Sequence, residues 1–233
     1  MQEAATVLVA DDDDDIAHLM RDYLEADGFT VVIANDGSAA IEAVDRHPVS
    51  CVLLDVMMPG MSGFDVLRRI RETTDVPVLM LSALGGDSDK LRGLGLGADD
   101  YIVKSASASE VVARVRAVMR RAGTPRSTGP AGAVLDYGRL VIDIGAHEVR
   151  VDGETTPCTA REFELLEHLA RHPRQILTRD QLFERFWGAY GDRHSLTVHI
   201  SRLRDKIEED PAHPRYIVTV RGVGYRFEGE RTR

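Results

Sequence analysis

The strongest constraint in the first half of the chain is a recurring pair. A short, wholly apolar run is followed by a segment whose apolar residues have helical spacing. Thr6–Ala10 is such a run, and Ile16, Leu19, Met20, Tyr23 and Leu24 behind it repeat at i, i+3, i+4, i+7 and i+8. Gly28 closes that helix. Phe29–Ala34, Cys51–Asp55, Val76–Ser82 and Tyr101–Val103 read as four more strands. Strands that are apolar on both faces need cover on both faces, which a parallel sheet between helical layers provides. Five such units predict an α/β domain over residues 1–122, a doubly wound five-stranded parallel sheet. Ser107 and Glu110 read as a capping box that opens its last helix, with Val111, Val112, Val115, Val118 and Met119 inward.

The pattern breaks at residues 123–133, GTPRSTGPAGA, a Gly/Pro/Ser/Thr stretch with no periodicity that reads as a linker. Residues 134–233 begin with short alternating strands and turns at Tyr137-Gly138 and Asp152-Gly153. Three helices follow. Thr159 with Glu162 caps the first and Thr178 with Gln181 the second. The third carries an apolar stripe of Leu196, Ile200, Leu203 and Ile207. Tyr216–Val220 and Gly224–Phe227 then flank Arg221-Gly222-Val223 as a hairpin. Helices followed by a hairpin predict an α+β winged helix-turn-helix.

Charge divides at the same place. The net charge of −9 belongs to the first 122 residues, with 21 acidic and 12 basic side chains, while the remainder holds 17 of each. Such asymmetry suggests two jobs. The longest apolar run, Val76–Leu81, is far short of the ~20 residues of a membrane span, so no membrane association is expected. MQEAATVLVADDDDD lacks the basic-then-apolar order of a secretory signal. Cys51 and Cys158 read as thiols of a cytoplasmic protein rather than a disulfide or zinc site.

In a parallel α/β sheet, function gathers beyond the C-terminal ends of the strands. Here the first strand runs into Asp11-Asp12-Asp13, the third ends in Asp55, the fourth in Ser82 and the fifth in Lys104. A lone Asp at a strand end is commonly a helix cap, and a run of Asp is commonly a solvated loop. The combination of strand-end acids, a hydroxyl and a lysine is not accounted for in that way. Clustered carboxylates repel unless a hard cation lies between them, and Mg²⁺ takes such oxygen ligands. A carboxylate can also attack a phosphoryl group to form an aspartyl-phosphate. The metal, a lysine and a hydroxyl would then neutralise the phosphoryl oxygens.

VLVADDDDDI, LLDVMMPGMSGFDVLRRIR, VPVLMLSA and GLGLGADDYIVK resemble the receiver domain of two-component response regulators. TVHISRLRDKIE and YIVTVRGVGYRF resemble the winged-helix output domain of the OmpR/PhoB subfamily. The resemblance implies that Asp55 accepts phosphoryl from a sensor histidine kinase. It implies Asp11, Asp12, Asp55 and the backbone carbonyl of Met57 as Mg²⁺ ligands, and Ser82 and Lys104 on the phosphoryl oxygens. Tyr101 matches the aromatic that turns inward with Ser82 on activation. Lys90, Asp99, Asp100, Glu110, Arg114 and Arg121 match a face that pairs two receivers about a two-fold axis. The chain departs from the family where Ser105-Ala106 follows Lys104 in place of a proline, and where Leu84 replaces an arginine. A non-proline cis bond costs about 2.5–4 kcal/mol, so the Lys104–Ser105 bond is expected to be trans.

On the third helix of the second domain, Val198 sits amid a polar face, suited to a thymine methyl, with Arg202 suited to a guanine edge. Ser195, His199 and Arg204 lie on the flanks, suited to phosphates. Ser201 shares the outward face, Thr197 is a further DNA-binding candidate at a position where family members commonly have Asp, and Arg221 at the hairpin tip is suited to the minor groove. The expected protein is a cytoplasmic, phosphorylation-controlled regulator that dimerises on activation, binds tandem promoter half-sites in double-stranded DNA, and works with RNA polymerase. It is not expected to be an enzyme. A Mg²⁺-dependent aspartyl-phosphate hydrolase would place a second acid where Met57 stands. The alternative is an atypical receiver acting as a phosphorylation-independent DNA-binding or interaction module, for which Ser105-Ala106 and Leu84 speak.

Overall fold

The structure, a computed structural model, describes residues 4–83, 86–122, 134–188 and 193–232. The expected linker and Leu84 lie outside the described residues, as does the side chain of Arg121. The chain divides into two compact units, one of Met1–Ala122 with Trp187–Ser195 and the other of Gly123–Phe186 with Leu196–Arg233.

The first unit alternates strand and helix throughout. Its elements are β1 (Thr6–Ala10), α1 (Asp14–Ala26), β2 (Thr30–Ala34), α2 (Gly37–Arg46), β3 (Val49–Asp55), α3 (Gly63–Thr73), β4 (Val78–Ser82), α4 (Asp87–Gly95), β5 (Asp100–Val103) and α5 (Ala108–Ala122). The strands pair in parallel in the order β2-β1-β3-β4-β5. The order reverses direction at β1, so the C-terminal ends of β1 and β3 open a crevice between neighbouring loops. The central strands are buried on both faces: Val7, Leu8 and Val9 of β1 and Val52, Leu53 and Leu54 of β3 are fully inaccessible. Val111, Val115 and Val118 of α5 pack into the same core as Ala17, Met20 and Leu24 of α1.

Two local expectations change in this unit. On α1 the buried stripe is Ala17, Met20 and Leu24, while Leu19 and Tyr23 are exposed. The helix lies on the sheet by one narrow sector, and the wider apolar spacing is left in water. At α5, Ser107 caps through its side chain to the Glu110 N–H at 3.2 Å. The Glu110 carboxylate turns to Arg114 instead of completing a box, because a charge-assisted pair outweighs a neutral N–H donor. The described residues contain no cis peptide bond, so Lys104–Ser105 is trans.

The second unit opens with a four-stranded antiparallel sheet, β6 (Val134–Tyr137), β7 (Leu140–Asp143), β8 (Glu148–Val151) and β9 (Glu154–Thr156). Then come α6 (Ala160–Arg171), β10 (Ile176–Thr178), α7 (Arg179–Trp187), α8 (Arg193–Ile207), β11 (Ile217–Val220) and β12 (Gly224–Phe227). Both capping boxes form: Thr159 with Glu162 at α6, and Thr178 with Gln181 at α7. The hairpin β11–β12 turns at Gly222, whose φ of +75° suits glycine.

A third strand, β10, joins that hairpin in the order β10-β12-β11. Its three residues are too few to show alternation, so sequence reading missed it. Gly224 makes the pairing possible, since a Cβ there would lie 2.0 Å from the Leu177 carbonyl oxygen. The buried Glu208, just past α8, accepts from the N–H groups of Arg215, Tyr216 and Ile217 at 2.7–2.9 Å. This anchors the hairpin to the end of the helix.

Candidate functional site

The five aspartates that follow β1 divide into three roles. Asp13 is the N-cap of α1 and accepts from the N–H groups of Asp15 and Ile16. Asp14 and Asp15 occupy the first helical turn, where the helix dipole favours negative charge. Asp11 and Asp12 are left at the strand end. Asp11 is fully buried and Asp12 is exposed. One ligand atom from each of Asp11, Asp12 and Asp55 lies within 4.8 Å of the others. The cap geometry keeps Asp13 out of the pocket, in keeping with a metal set that takes only Asp11 and Asp12 from this run.

Asp55 ends β3 and is only 2% exposed. The chain turns away immediately behind it. At Gly63 a Cβ would lie 2.0 Å from the Asp55 carbonyl oxygen, so α3 can start this close to the strand end only with glycine there. Lys104 follows β5 and places its Nζ 2.8 Å from Asp11 Oδ2 and 3.0 Å from Asp55 Oδ2. The approach to Asp11 Oδ2 is out of line for a hydrogen bond, and the donated bond goes to Oδ1 at 3.1 Å. Asp55 Oδ1 is buried and accepts no hydrogen bond from a described residue.

Burial pushes the Asp55 carboxyl pKa up, and the neighbouring Asp11 charge adds to this. Lys104 and the Met57 N–H pull the other way without cancelling the shift. Burial also works against the Lys104 ammonium. Its bonds to Asp11 and Asp55 outweigh that and raise its pKa. One cation thus faces three carboxylates. An orphaned buried oxygen and excess negative charge at one edge are what a hard divalent cation with oxygen ligands would satisfy. Asp11, Asp12 and Asp55 therefore fit Mg²⁺.

Ser82, at the end of β4, is fully buried, and its side chain hydrogen-bonds the hydroxyl of Tyr101, itself 1% exposed. The aromatic and the hydroxyl stand together on the inner side of the sheet edge. Asp11, Asp12, Asp55 and Lys104 come together at the sheet edge, and Ser82 ends the neighbouring strand with Tyr101 beside it. Met57, two residues beyond Asp55, has an exposed side chain and offers no acid to a leaving group.

The charged set around β5 is used largely within the domain. Asp99 is buried and accepts from Arg71 at 3.1 Å and from the Val78 N–H at 2.9 Å. It therefore does not lie on an outward face, as the sequence reading had it. Arg114 bridges Asp100 at 2.8 Å and Glu110 at 2.7 Å. Burial opposes its charge, but the two carboxylates raise its pKa. Lys90 lies on α4, half-buried.

In the second unit α8 buries Leu196, Ile200, Leu203 and Ile207 as the stripe expects. It also buries Ser195 and His199 completely. Arg202 and Arg204 have partners within the domain. Arg202 turns onto Glu162 at 2.5 Å, and Arg204 donates to the Ile217 carbonyl at 2.6 Å and the Thr219 hydroxyl at 2.8 Å. Acceptors within the domain, from the buried Glu162 to the exposed Thr219, take up these guanidinium groups. His194, Thr197, Ser201 and Asp205 are exposed, Val198 is half-exposed, and Arg221 is exposed at the hairpin tip.

Residues 7–116 match the response regulator receiver domain family, and residues 153–227 match the C-terminal domain of transcriptional regulatory proteins. The chain belongs to the response regulators of the OmpR/PhoB type. It is 45% identical to the sensory transduction protein RegX3 of Mycolicibacterium smegmatis over 96% of this chain and 99% of that protein. It is 40% identical to the transcriptional regulatory protein YvrH of Bacillus subtilis over 99% of this chain and all of the other. The crystal structure of DrrB, an OmpR/PhoB homolog from Thermotoga maritima, aligns with 97% of the chain at 32% identity and a TM-score of 0.52. A RitR mutant aligns over the same share at 25% identity and a TM-score of 0.78. This response regulator is thus a phosphorylation-dependent transcription regulator with a receiver and a DNA-binding output domain. Among its described residues no helix is long and apolar enough to cross a membrane.

Proposed function

We propose that Asp55 is the phosphoryl acceptor of this receiver and that a sensor histidine kinase is its donor. The observation that carries this reading is Asp55 Oδ1, buried at a strand end without a described partner while Lys104 occupies the other oxygen. Asp11, Asp12 and Asp55, with the backbone carbonyl of Met57, would hold Mg²⁺, whose charge neutralises phosphoryl oxygens when bound. The chain's own residues do the rest. Lys104, already between Asp11 and Asp55, exchanges a carboxylate oxygen for a phosphoryl oxygen. Ser82 gives its hydroxyl to the phosphoryl group, and Tyr101 is positioned by the same hydroxyl. The added phosphoryl group brings more negative charge into the pocket and draws Lys104 and Ser82 toward its oxygens, which biases the face formed by α4, β5 and α5.

Phosphorylation would then pair two receivers across that face, through Lys90, Asp100, Glu110, Arg114 and Arg121. Pairing raises the effective concentration of two DNA-binding domains on tandem half-sites of a promoter, where RNA polymerase is the further partner. At the DNA, Thr197, Val198 and Ser201 would face the major groove and Arg221 the minor groove. The protein acts in this reading as a cytoplasmic regulator and not as an enzyme.

The test is incubation with acetyl phosphate and Mg²⁺ followed by an acid-labile phosphate assay. Wild type should take up one phosphoryl group, and Asp55→Asn none. Equal incorporation by Asp55→Asn would overturn the assignment. For the pairing face, Arg114→Glu should abolish the phosphorylation-dependent dimer in sedimentation while leaving phosphorylation intact. An unchanged dimer would remove Arg114 from the interface.

A further inference from the structure

Two cations of α8 are already in use within their own domain. Glu162, in the first turn of α6, is fully buried. Its Oε1 accepts from Arg202 Nε at 2.5 Å, and its Oε2 accepts from Lys206 Nζ at 2.5 Å. The Thr159 N–H donates to the same Oε2 at 2.9 Å, and Lys206 also donates to the Pro157 carbonyl at 2.7 Å. Arg202 and Lys206 are one helical turn apart, so a single carboxylate reaches both. Their side chains are only 18% and 24% exposed.

A carboxylate gripped by a guanidinium and an ammonium has the chemistry of a phosphate in a protein–DNA interface. Contacts to phosphate supply affinity but carry no sequence information, and they dominate non-specific binding. A helix that offered Arg202 and Lys206 to the backbone would hold any duplex. To do so here, each cation would have to leave a buried carboxylate short of its counter-charge, a state far costlier than an exposed unpaired one. The outward residues of α8 that the structure describes, His194, Thr197, Ser201 and Asp205, have short side chains of mixed polarity, suited to reading shape and base edges.

We propose that Glu162 is a selectivity residue of the DNA-binding domain. It stands in for a phosphate, keeping Arg202 and Lys206 off the DNA backbone so that α8 discriminates by its outward face rather than by charge. Burial alone would push the Glu162 carboxyl up, but the two cations hold it at about 2. The substitute charge is therefore present at every pH at which the protein works.

The test uses the full chain, unphosphorylated, and a labelled duplex of mixed sequence, with affinity measured across a salt series. Each phosphate contact contributes about 0.9 to the slope of log K against log salt. Lys206→Ala should leave the wild-type slope unchanged, because that ammonium is already neutralised. Glu162→Gln should bind the mixed duplex more tightly, with a slope steeper by about one to two. Adding Lys206→Ala to Glu162→Gln should take back about one of that gain. Selection from a random duplex pool should enrich a broader set with Glu162→Gln than with wild type. A merely structural role would weaken binding to every duplex and would not steepen the slope. The proposal is overturned if Lys206→Ala alone lowers the slope by about one. It is equally overturned if a folded Glu162→Gln keeps the wild-type slope or loses affinity for all duplexes. Should circular dichroism show Glu162→Gln unfolded, the Lys206→Ala slope decides alone.

Discussion

Each of the two domains sets one charged side chain between groups of the opposite sign, and the signs are reversed between the two. In the receiver, the ammonium of Lys104 stands between Asp11 and Asp55. In the output domain, the carboxylate of Glu162 stands between Arg202 and Lys206. The first cluster is left unfinished: Asp55 Oδ1 has no described partner and its carboxyl pKa is raised. The second is closed: both oxygens of Glu162 are engaged by cations and its carboxyl is held at about 2. Buried charge is costly in either case. Where the surroundings complete the compensation, the cluster holds structure together. Where they stop short, a ligand has a reason to bind.

The comparison breaks first on pH. Glu162 has a folded-state pKa below its ordinary value of 4.5. Its contribution is therefore complete above about pH 4.5 and is lost as pH falls toward 2. The shift corresponds to stability on the order of 3 kcal/mol at neutral pH. Wild type should lose that much between pH 4.5 and 2 relative to Glu162→Gln, in urea titrations followed by the single tryptophan, Trp187. Parallel profiles for the two proteins would mean that Glu162 is not the closed cluster described.

A smaller effect is expected at the open cluster. Asp12→Ala should weaken Mg²⁺ binding by about tenfold or more in calorimetry, since it removes one of three carboxylates from a site with oxygen ligands. Folding should be unaffected, because Asp12 is exposed. Equal affinity in both proteins would make the pocket as closed as its counterpart.

The smallest effect sharpens the second cluster. Thr159 accepts from the Glu162 N–H through its hydroxyl while its own N–H donates to the Glu162 carboxylate. Thr159→Ala should cost about 1 kcal/mol through loss of the cap, seen as a lower urea midpoint. If the acid transition also moves upward, the cap helps hold the carboxylate in place; if it does not, the two cations suffice.

The parallel α/β receiver was legible because its strands are apolar throughout and its helices carry their own period, signals that need no partner to be read. The strand-end pocket was legible for a related reason. A parallel sheet brings every strand end to one edge, so Asp11, Asp55, Ser82 and Lys104 could be assembled from strand endings alone. The capping boxes at Thr159 and Thr178 are equally local, each formed within four consecutive residues.

Contacts between distant segments had no such signature. The separation of Asp13 from Asp11 and Asp12 depends on where α1 begins. The strand β10 exists because Gly224 lets β12 approach it. Asp99 was withdrawn from the surface by Arg71, 28 residues away, and Arg202 by Glu162, 40 residues away. Sequence alone determined which segments are helices and strands, how the sheet is wound, and which residues meet at its edge, because periodicity and strand polarity are local. Only the tertiary structure decided which charged side chains face outward. A long flexible cation takes whichever acceptor the fold brings within reach, and a buried carboxylate outcompetes water for it.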